Sequence, residues 1–412
     1  MKKALFFFCA AIAAAFTASC SSDDKEPETT KKELSTAITI SGKVKKTTDS
    51  TTVFGTDHAG TITIDPVYGS LQPDFTAKDM LERGFEFGDL LKVKIGNLPE
   101  LIMPFVTAYT QAGNMGLSCC NYNATGGVVD FGIANGNFHE RVGGNEGDAI
   151  TVTVYQKHGY KEIFDLIPSV YKMERADFAT DEIYANFREV KTTGMKSGIL
   201  YRSSNPLNLK KNPGRYIYVD KLAEKVGVKT EIDLADTEND VKEYIASADY
   251  KANYCKTLFE NGNTVTLGMS ADVFSKDFMA KAARGFRFMI EHEGPYLVHC
   301  NEGKDRCGFI IMLLEGLSGA TINELRSDYM VTFENYYNMQ PGTKSYDTNL
   351  LLTGDRNIWV LANPKVLNDY ININWNAMSL NGINLQQSVI NYMKDCGLNT
   401  DEISQLKARL TK

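Results

Sequence analysis

Hydrophobic and polar positions change their period part-way along the chain. Between residues 36 and 160 they alternate, as in Ala37-Ile38-Thr39-Ile40-Ser41-Gly42, Thr61-Ile62-Thr63-Ile64 and Ile150-Thr151-Val152-Thr153-Val154-Tyr155. A period of two predicts half-buried strands. Gly88-Asp89 and Gly147-Asp148 precede strands, and Gly126-Gly127 and Gly143-Gly144 mark hairpin ends. This stretch reads as a small all-β domain, a barrel or a sandwich. Residues 161–180 cross to a second region with longer periods. Phe274, Phe278, Met279, Ala282, Phe286 and Met289 recur every three to four residues and predict a helix over 274–291. Residues 214–228 suit a helix ending at Gly227, and Val228 to Leu234 a buried parallel strand. Residues 255–270 read as a strand and then a loop. A helix is expected at 321–330, helices with irregular connections over 335–376, and a helical pair around Gly397 over 383–410. The alternation predicts an α/β domain over 175–412, with a central, mostly parallel sheet flanked by helices.

The first residues change the picture of where the protein works. Met1-Lys2-Lys3 is basic, and Ala4 to Phe16 is apolar but too short to span a bilayer. Thr17-Ala18-Ser19-Cys20 resembles a bacterial lipoprotein cleavage box. The expectation is a signal peptide over 1–19, a lipid on Cys20 and a disordered tether over 20–35. The protein would then be exported to the bacterial cell envelope, on the outer membrane or periplasmic face, and touch membrane only through that lipid. A plain secretory signal is the alternative.

Composition narrows the partners. The formal net charge is -7, and losing Lys2 and Lys3 with the signal makes the mature chain more acidic. No basic cluster with interleaved aromatics appears, which argues against nucleic acid. Beyond Cys9 and Cys20 there are six cysteines, at 119, 120, 255, 300, 307 and 396. Their spacing gives neither a disulfide framework nor a zinc pattern, and no cofactor or metal is expected. Adjacent Cys119 and Cys120 read as buried small residues, and His58 and His139 as surface singletons.

The most informative stretch is Gly294-Pro295-Tyr296-Leu297-Val298-His299-Cys300-Asn301-Glu302-Gly303-Lys304-Asp305-Arg306-Cys307-Gly308. A short apolar run ends in a cysteine, an arginine follows after five residues, and an apolar run of helical length comes next. This is strand, tight loop, helix N-terminus. Such a loop turns backbone N–H groups inward and adds the helix dipole, which makes a cradle for an oxyanion with a thiol at its floor. Arg306 offers a planar two-pronged donor to phosphate oxygens. A helix N-terminus and a guanidinium lower a cysteine pKa into roughly the 3.5–7.5 range, so this loop suits a thiolate nucleophile. A phosphocysteine would form and then be hydrolysed. A carboxylic acid must protonate the leaving oxygen and later activate water.

The loop resembles that of the cysteine-dependent protein tyrosine phosphatase superfamily, Cys-x5-Arg. In its closer form, His-Cys-x-x-Gly-Lys-Asp-Arg, it is similar to the bacterial tyrosine phosphatase family that also acts on phosphoinositides. A second anchor is Asn186-Phe187-Arg188, followed by a hairpin ending in Tyr201-Arg202-Ser203, and a third is the helix with Asp328-Tyr329. The resemblance implies Cys300 as nucleophile, Arg306 as phosphate clamp and Asp305 as general acid. Asn301, Glu302, Gly303, Lys304 and Cys307 would line the substrate site, and Lys304 would hold extra substrate phosphates unless it is a solvated surface lysine. His299 reads as a residue donating to loop carbonyls rather than a proton carrier. Asp236, after the 228–234 strand, is an alternative acid or a turn residue, with Glu238 behind it. Arg188 and Arg202 brace the site through ion pairs or contact phosphate directly. One departure is Cys307, where the family has Ser or Thr. That hydroxyl helps the thiolate depart, and a thiol is a weaker donor. Cys307 also places a second thiol close to Cys300, with disulfide formation an option under oxidising conditions.

The expected activity is therefore phosphomonoester hydrolysis through a phosphocysteine. The preferred substrate is a phosphotyrosine protein. The alternatives are a phosphoinositide or inositol polyphosphate, or a phosphate-binding module with feeble turnover.

Overall fold

The structure is a computed structural model, and it describes residues 37–45, 52–54, 58–60, 64–65, 68–123, 127–167, 172–211 and 214–411. The expected signal peptide, the Cys20 lipid site, the tether and Thr61 to Thr63 lie outside the described residues.

Six strands of the first region form one sheet. They are β1 (Thr39–Lys43), β4 (Leu90–Ile95), β5 (Leu101–Val106), β6 (Leu117–Asn123), β7 (Val128–Ile133) and β8 (Ala149–Gln156), in the order β1-β8-β4-β5-β6-β7. A separate hairpin joins β2 (Thr52–Phe54) and β3 (His58–Gly60). All neighbours in the large sheet are antiparallel except β5 and β6. One short segment ties its two edges together, because Leu71 bridges to Phe131 of β7 and Pro73 to Val44 just after β1. The sheet therefore curls into a barrel, which leaves no long unpaired edge. The alternation read from the sequence has a physical cause here: Ile40, Leu91, Val93, Ile95, Ile150 and Val152 all point into the barrel core. Gly127 turns β6 into β7 as expected. Gly143-Gly144 instead follows a short helix, Phe138–Arg141, so no hairpin ends there.

The second region carries a five-stranded sheet in the order β12-β11-β13-β10-β9. Its strands are β9 (Arg188–Glu189), β10 (Leu200–Ser203), β11 (Thr230–Asp233), β12 (Thr264–Thr266) and β13 (Tyr296–His299). The last four are parallel and β9 is antiparallel. Helices Arg215–Val226, Lys276–Glu291 and Asp305–Ser318 cover the sheet. The fold is α/β with flanking helices, beside a strand-rich N-terminal region. The Lys276–Glu291 helix is capped by Ser275, which accepts from Phe278 N, and it buries Phe278, Ala282, Phe286 and Met289. The pair Leu385–Asp395 and Thr400–Leu410 flanks Gly397, whose φ of +94° suits glycine. One expectation fails: Tyr254–Glu260 is a helix and the strand comes later, at Thr264–Thr266. Cys255 and Leu258 are both buried on one face of that helix, a three-residue spacing that local β-propensity obscures.

The two regions share packing. Trp359, Val360, Tyr370 and Ile373 complete the barrel core. Arg356 Nη1 donates to the carbonyls of Ala112 and Asn114 at 3.1 Å each. Arg141 Nη2 meets both oxygens of Asp272, at 2.7 and 2.8 Å.

Candidate active site

Strand β13 is the middle strand of its sheet and is completely buried. Its C-terminus delivers Cys300, and the helix Asp305–Ser318 starts five residues beyond that. The loops leaving β10, β11 and β12 arrive at the same edge, where open parallel sheets place their ligand crevice. Cys300 is 3% exposed and all six described cysteines are free thiols.

The loop is braced from outside through three consecutive carbonyls. Asn205 N donates to Asn301 O at 3.2 Å. Asn186 Nδ2 donates to Glu302 O at 3.0 Å, and Arg202 Nη2 to Gly303 O at 2.7 Å. In a planar trans peptide the N–H opposes the C=O. Holding these carbonyls outward therefore turns the N–H groups of residues 302, 303 and 304 inward, where they join the first turn of the helix. Gly303 makes the turn with φ +72°. A Cβ there would lie 2.3 Å from Ser203 O, so only glycine fits.

Two arginines converge behind the loop. Arg188 Nε donates to Asp328 Oδ1 at 3.0 Å and Arg188 Nη1 to Asn186 Oδ1 at 2.8 Å. Arg202 Nη1 pairs with Asp328 Oδ2. Burial raises the Asp328 pKa, but the two guanidiniums outweigh it and hold the carboxyl below the usual range. Both arginines thus brace the loop through ion pairs, the first of their two expected placements.

Arg306 Nη1 donates to Met269 O at 2.8 Å, which ties it to the segment after β12. Burial works against its charge, while Cys300, Tyr68, Asp236 and Asp233 favour it and leave its pKa raised. Asp305 is partly exposed at the start of the helix. Burial pushes its carboxyl up from the usual range, against the opposing pull of Lys304. Asp236 is enclosed instead. Asn205 Nδ2 donates to one oxygen at 2.6 Å, and Asn208 Nδ2 and Tyr244 Oη to the other at 3.1 and 3.4 Å. Glu238 begins the Glu238–Ala246 helix and pairs with Lys242 on the surface.

Three expectations shift. His299 meets Glu231 Oε1 through Nε2 at 2.9 Å and lies 3.9 Å from Asp233 Oδ1 through Nδ1, so carboxylates of the neighbouring strand hold it rather than loop carbonyls. Burial lowers its pKa, but Asp233 and Glu231 raise it more. Lys304 is buried rather than solvated. Its Nζ donates to Tyr337 Oη at 3.1 Å and sits 3.3 Å from Glu302 Oε2, against the rings of Tyr337 and Phe333. Cys307 does not line the cleft: it is fully buried and its Sγ–H donates to Val298 O at 3.3 Å. Burial pushes that thiol up to about 12.

Sequence reading passed over Asn186 as a loop brace and the Glu231/Asp233 pair. Glu231 and Asp233 carried a signal, two carboxylates on alternate positions of an otherwise buried strand.

No curated protein matches the chain. Among solved structures it is similar to an uncharacterized conserved protein from Thermotoga maritima, at 17% identity and TM-score 0.22 over 31% of this chain, and it spans 40% of that protein's length. It is also similar to the core catalytic domain of the PP-IP phosphatase SIW14 from S. cerevisiae, at 20% identity and TM-score 0.25, covering 46% of this chain and 96% of that one. The model of the tyrosine phosphatase family matches residues 182–412, which takes in every strand from β9 to β13, the Cys300–Arg306 loop and the helices behind it. The chain belongs to the tyrosine phosphatase family and is a phosphoric monoester hydrolase of the cysteine-dependent type.

Proposed function

We propose that this enzyme is a protein-tyrosine phosphatase with Cys300 as nucleophile, Arg306 as phosphate clamp and Asp305 as general acid. The observation that carries the reading is the outward bracing of the Asn301, Glu302 and Gly303 carbonyls above the Cys300 thiol. That leaves a ring of inward N–H donors at a helix N-terminus, with a guanidinium beside it. The thiolate sulfur attacks phosphorus as the bond to the tyrosyl oxygen breaks. Asp305 gives its proton to that oxygen. Water then attacks the phosphocysteine, Asp305 takes up the water's proton, and the thiolate leaves. The upward push on the Asp305 carboxyl is in the direction a general acid needs. Asp236, with both oxygens occupied by buried donors, suits a bracing role instead.

Hydrolysis of phosphoinositides or inositol polyphosphates is the second reading, and it rests on Lys304 holding further phosphates. Lys304 and Asp305 border a cavity of ≈ 50 Å³, lined also by Tyr109, Asn114, Phe333 and Tyr337. The pairing of Lys304 with Tyr337 and Glu302 favours a monophosphorylated substrate.

The test is phosphate release, under reducing conditions, from a phosphotyrosine peptide, phosphatidylinositol phosphates and inositol hexakisphosphate. Wild type and Cys300→Ser are compared. Peptide turnover lost in Cys300→Ser supports the reading. Preferential release from an inositol phosphate supports the second. For location we propose the bacterial cell envelope through a lipid on Cys20, motivated by Thr17-Ala18-Ser19-Cys20. Partition of the full chain into detergent phase that survives Cys20→Ala would count against it.

A further inference from the structure

Arg306 is anchored on a segment that the β-barrel also grips. Arg306 Nη1 donates to Met269 O at 2.8 Å. That bond leaves the Nε–Nη2 edge of the guanidinium for two phosphate oxygens, so the Met269 carbonyl fixes the direction of the fork. Up to Met269 the chain is tied to β11 and the turn after it. Leu267 N donates to Asp233 O at 2.8 Å, Gly268 N to Asp236 O at 2.9 Å and Met269 N to Leu234 O at 2.9 Å. The Met269 carbonyl lies in the next peptide plane, so its direction depends on where residues 270–272 run.

The barrel sets that course. Asp272 takes Arg141 Nη2 on both oxygens, at 2.7 and 2.8 Å, and the Asn137 backbone N–H on Oδ2 at 3.2 Å. Asp272 is 4% exposed and Arg141 nearly buried, so this latch is a desolvated charge pair. Its barrel side is itself held. Asn137 caps the helix Phe138–Arg141 by accepting from Glu140 N at 3.0 Å, and Phe138 N donates to Tyr68 O at 2.8 Å. The Arg141 guanidinium lies over the Tyr370 ring, 5.9 Å from its centroid. Beyond the latch, Asp272 Oδ1 accepts from Phe274 N at 3.2 Å and Asp272 O from Ser275 N at 3.0 Å, which leads into the Lys276–Glu291 helix. The segment is thus pinned at Met269 by β11 and at Asp272 by the barrel, with Ser270 and Ala271 between the pins.

We propose that Arg141 is a positioning residue for the phosphate clamp: by gripping Asp272, the barrel fixes the Met269 carbonyl that aims Arg306 at the substrate. This rests on the reading of Arg306 as the clamp. It gives the barrel, which lies outside the family-matched residues 182–412, a part in phosphate binding. With the latch cut, the Met269 peptide plane can turn, and a fork that must meet two oxygens at once loses its aim.

Tungstate binding by calorimetry tests this on the full chain without relying on turnover, at a temperature where circular dichroism shows each protein folded. Arg141→Ala cuts the latch. Arg141→Lys restores it, because a single nitrogen, Nη2, meets both Asp272 oxygens and an ammonium can take its place. Arg356→Ala is the control: it also removes an arginine that joins the two regions, through the carbonyls of Ala112 and Asn114 and not through residues 267–275. The expected result is a Kd raised about tenfold or more in Arg141→Ala, within about threefold of wild type in Arg141→Lys, and unchanged in Arg356→Ala. Should Arg141→Ala fail to fold, Asp272→Asn breaks the same pair without removing bulk, and the same rise is expected. Kd unchanged in Arg141→Ala or, in its place, Asp272→Asn, with binding lost in Arg306→Ala, would overturn the latch and leave the loop reading intact. A rise that Arg141→Lys does not reverse, or that Arg356→Ala matches, would also overturn it. Failure of wild type to bind, or equal binding by Arg306→Ala, would overturn both.

Discussion

Asp328 is the single carboxylate on which Arg188 and Arg202 converge, so neutralising it strands two buried guanidiniums. Breaking a buried pair costs about 3–5 kcal/mol. A second buried acid changes that sum. Glu315, 1% exposed on the Asp305–Ser318 helix, is raised well above its usual range, first by burial and then by Asp328, against the pull of Arg202 and Arg188. Burial and the Asp328 charge thus both work against a charge on Glu315. In Asp328→Asn one cause of that raised pKa is gone, and Glu315 takes over part of the negative charge. The expected loss for Asp328→Asn alone is therefore reduced to about 2–3 kcal/mol, and Glu315→Gln alone costs under about 1 kcal/mol. The double variant removes both acids and costs about 5 kcal/mol, an excess over the sum of at least ~1 kcal/mol. Urea unfolding at pH 7, followed by far-ultraviolet circular dichroism, measures all three. Additivity within about 0.5 kcal/mol would refute the shared-charge argument. The pH dependence has a definite sign. Asp328 has a lowered folded pKa, so its contribution is present above the unfolded value and fades as pH falls through the folded one. In Asp328→Asn that acid-side loss is missing.

Four further outcomes follow from the site. Cys307→Ser leaves phosphopeptide kcat within about threefold of wild type, because the donor faces Val298 O; a gain of tenfold or more (about 1.4 kcal/mol) in single-turnover dephosphorylation would contradict it. Asp305→Asn lowers kcat by about 10²–10⁴-fold. In wild type the rate falls as pH rises through the Asp305 pKa, above the usual carboxylate value, and the variant loses that limb; an unchanged pH profile would remove Asp305 as the acid. Gly303→Ala forces a side chain onto Ser203 O and weakens tungstate binding by at least about tenfold, roughly 1.4 kcal/mol, near the low end of left-handed strain; wild-type affinity would show that the loop has room. Arg141→Ala strands Asp272 and destabilises the barrel junction by about 3 kcal/mol, read as a lowered unfolding midpoint; no shift would mean the latch is dispensable.

The strand, loop and helix around Cys300 were legible because they are contiguous: an apolar strand, a glycine where φ is positive, and an apolar helix following at once. The helix at Lys276–Glu291 was legible through its period, and the β-region through alternation. What depends on tertiary meeting was not. Residues from 188, 202 and 328 join in one ion-pair cluster, and no local pattern says that Arg202 reaches Gly303 O. The burial of Lys304 has no local signal, because it is the helix Ile322–Tyr337 that brings Phe333 and Tyr337 against it. The Cys307 departure from Ser or Thr looked like a handicap at the thiolate. Its helical position turns the side chain to the back of β13, a direction set by the helix start and not by residue type.

The central claim is a covalent phosphocysteine on Cys300, and trapping it is the most direct measurement. Reduced enzyme is mixed with ³²P-labelled phosphotyrosine peptide, quenched in acid within milliseconds, digested and mapped. The account predicts label on the peptide that carries Cys300, and no label and no turnover in Cys300→Ser. Turnover that persists in Cys300→Ser, or label on any other residue, would contradict it.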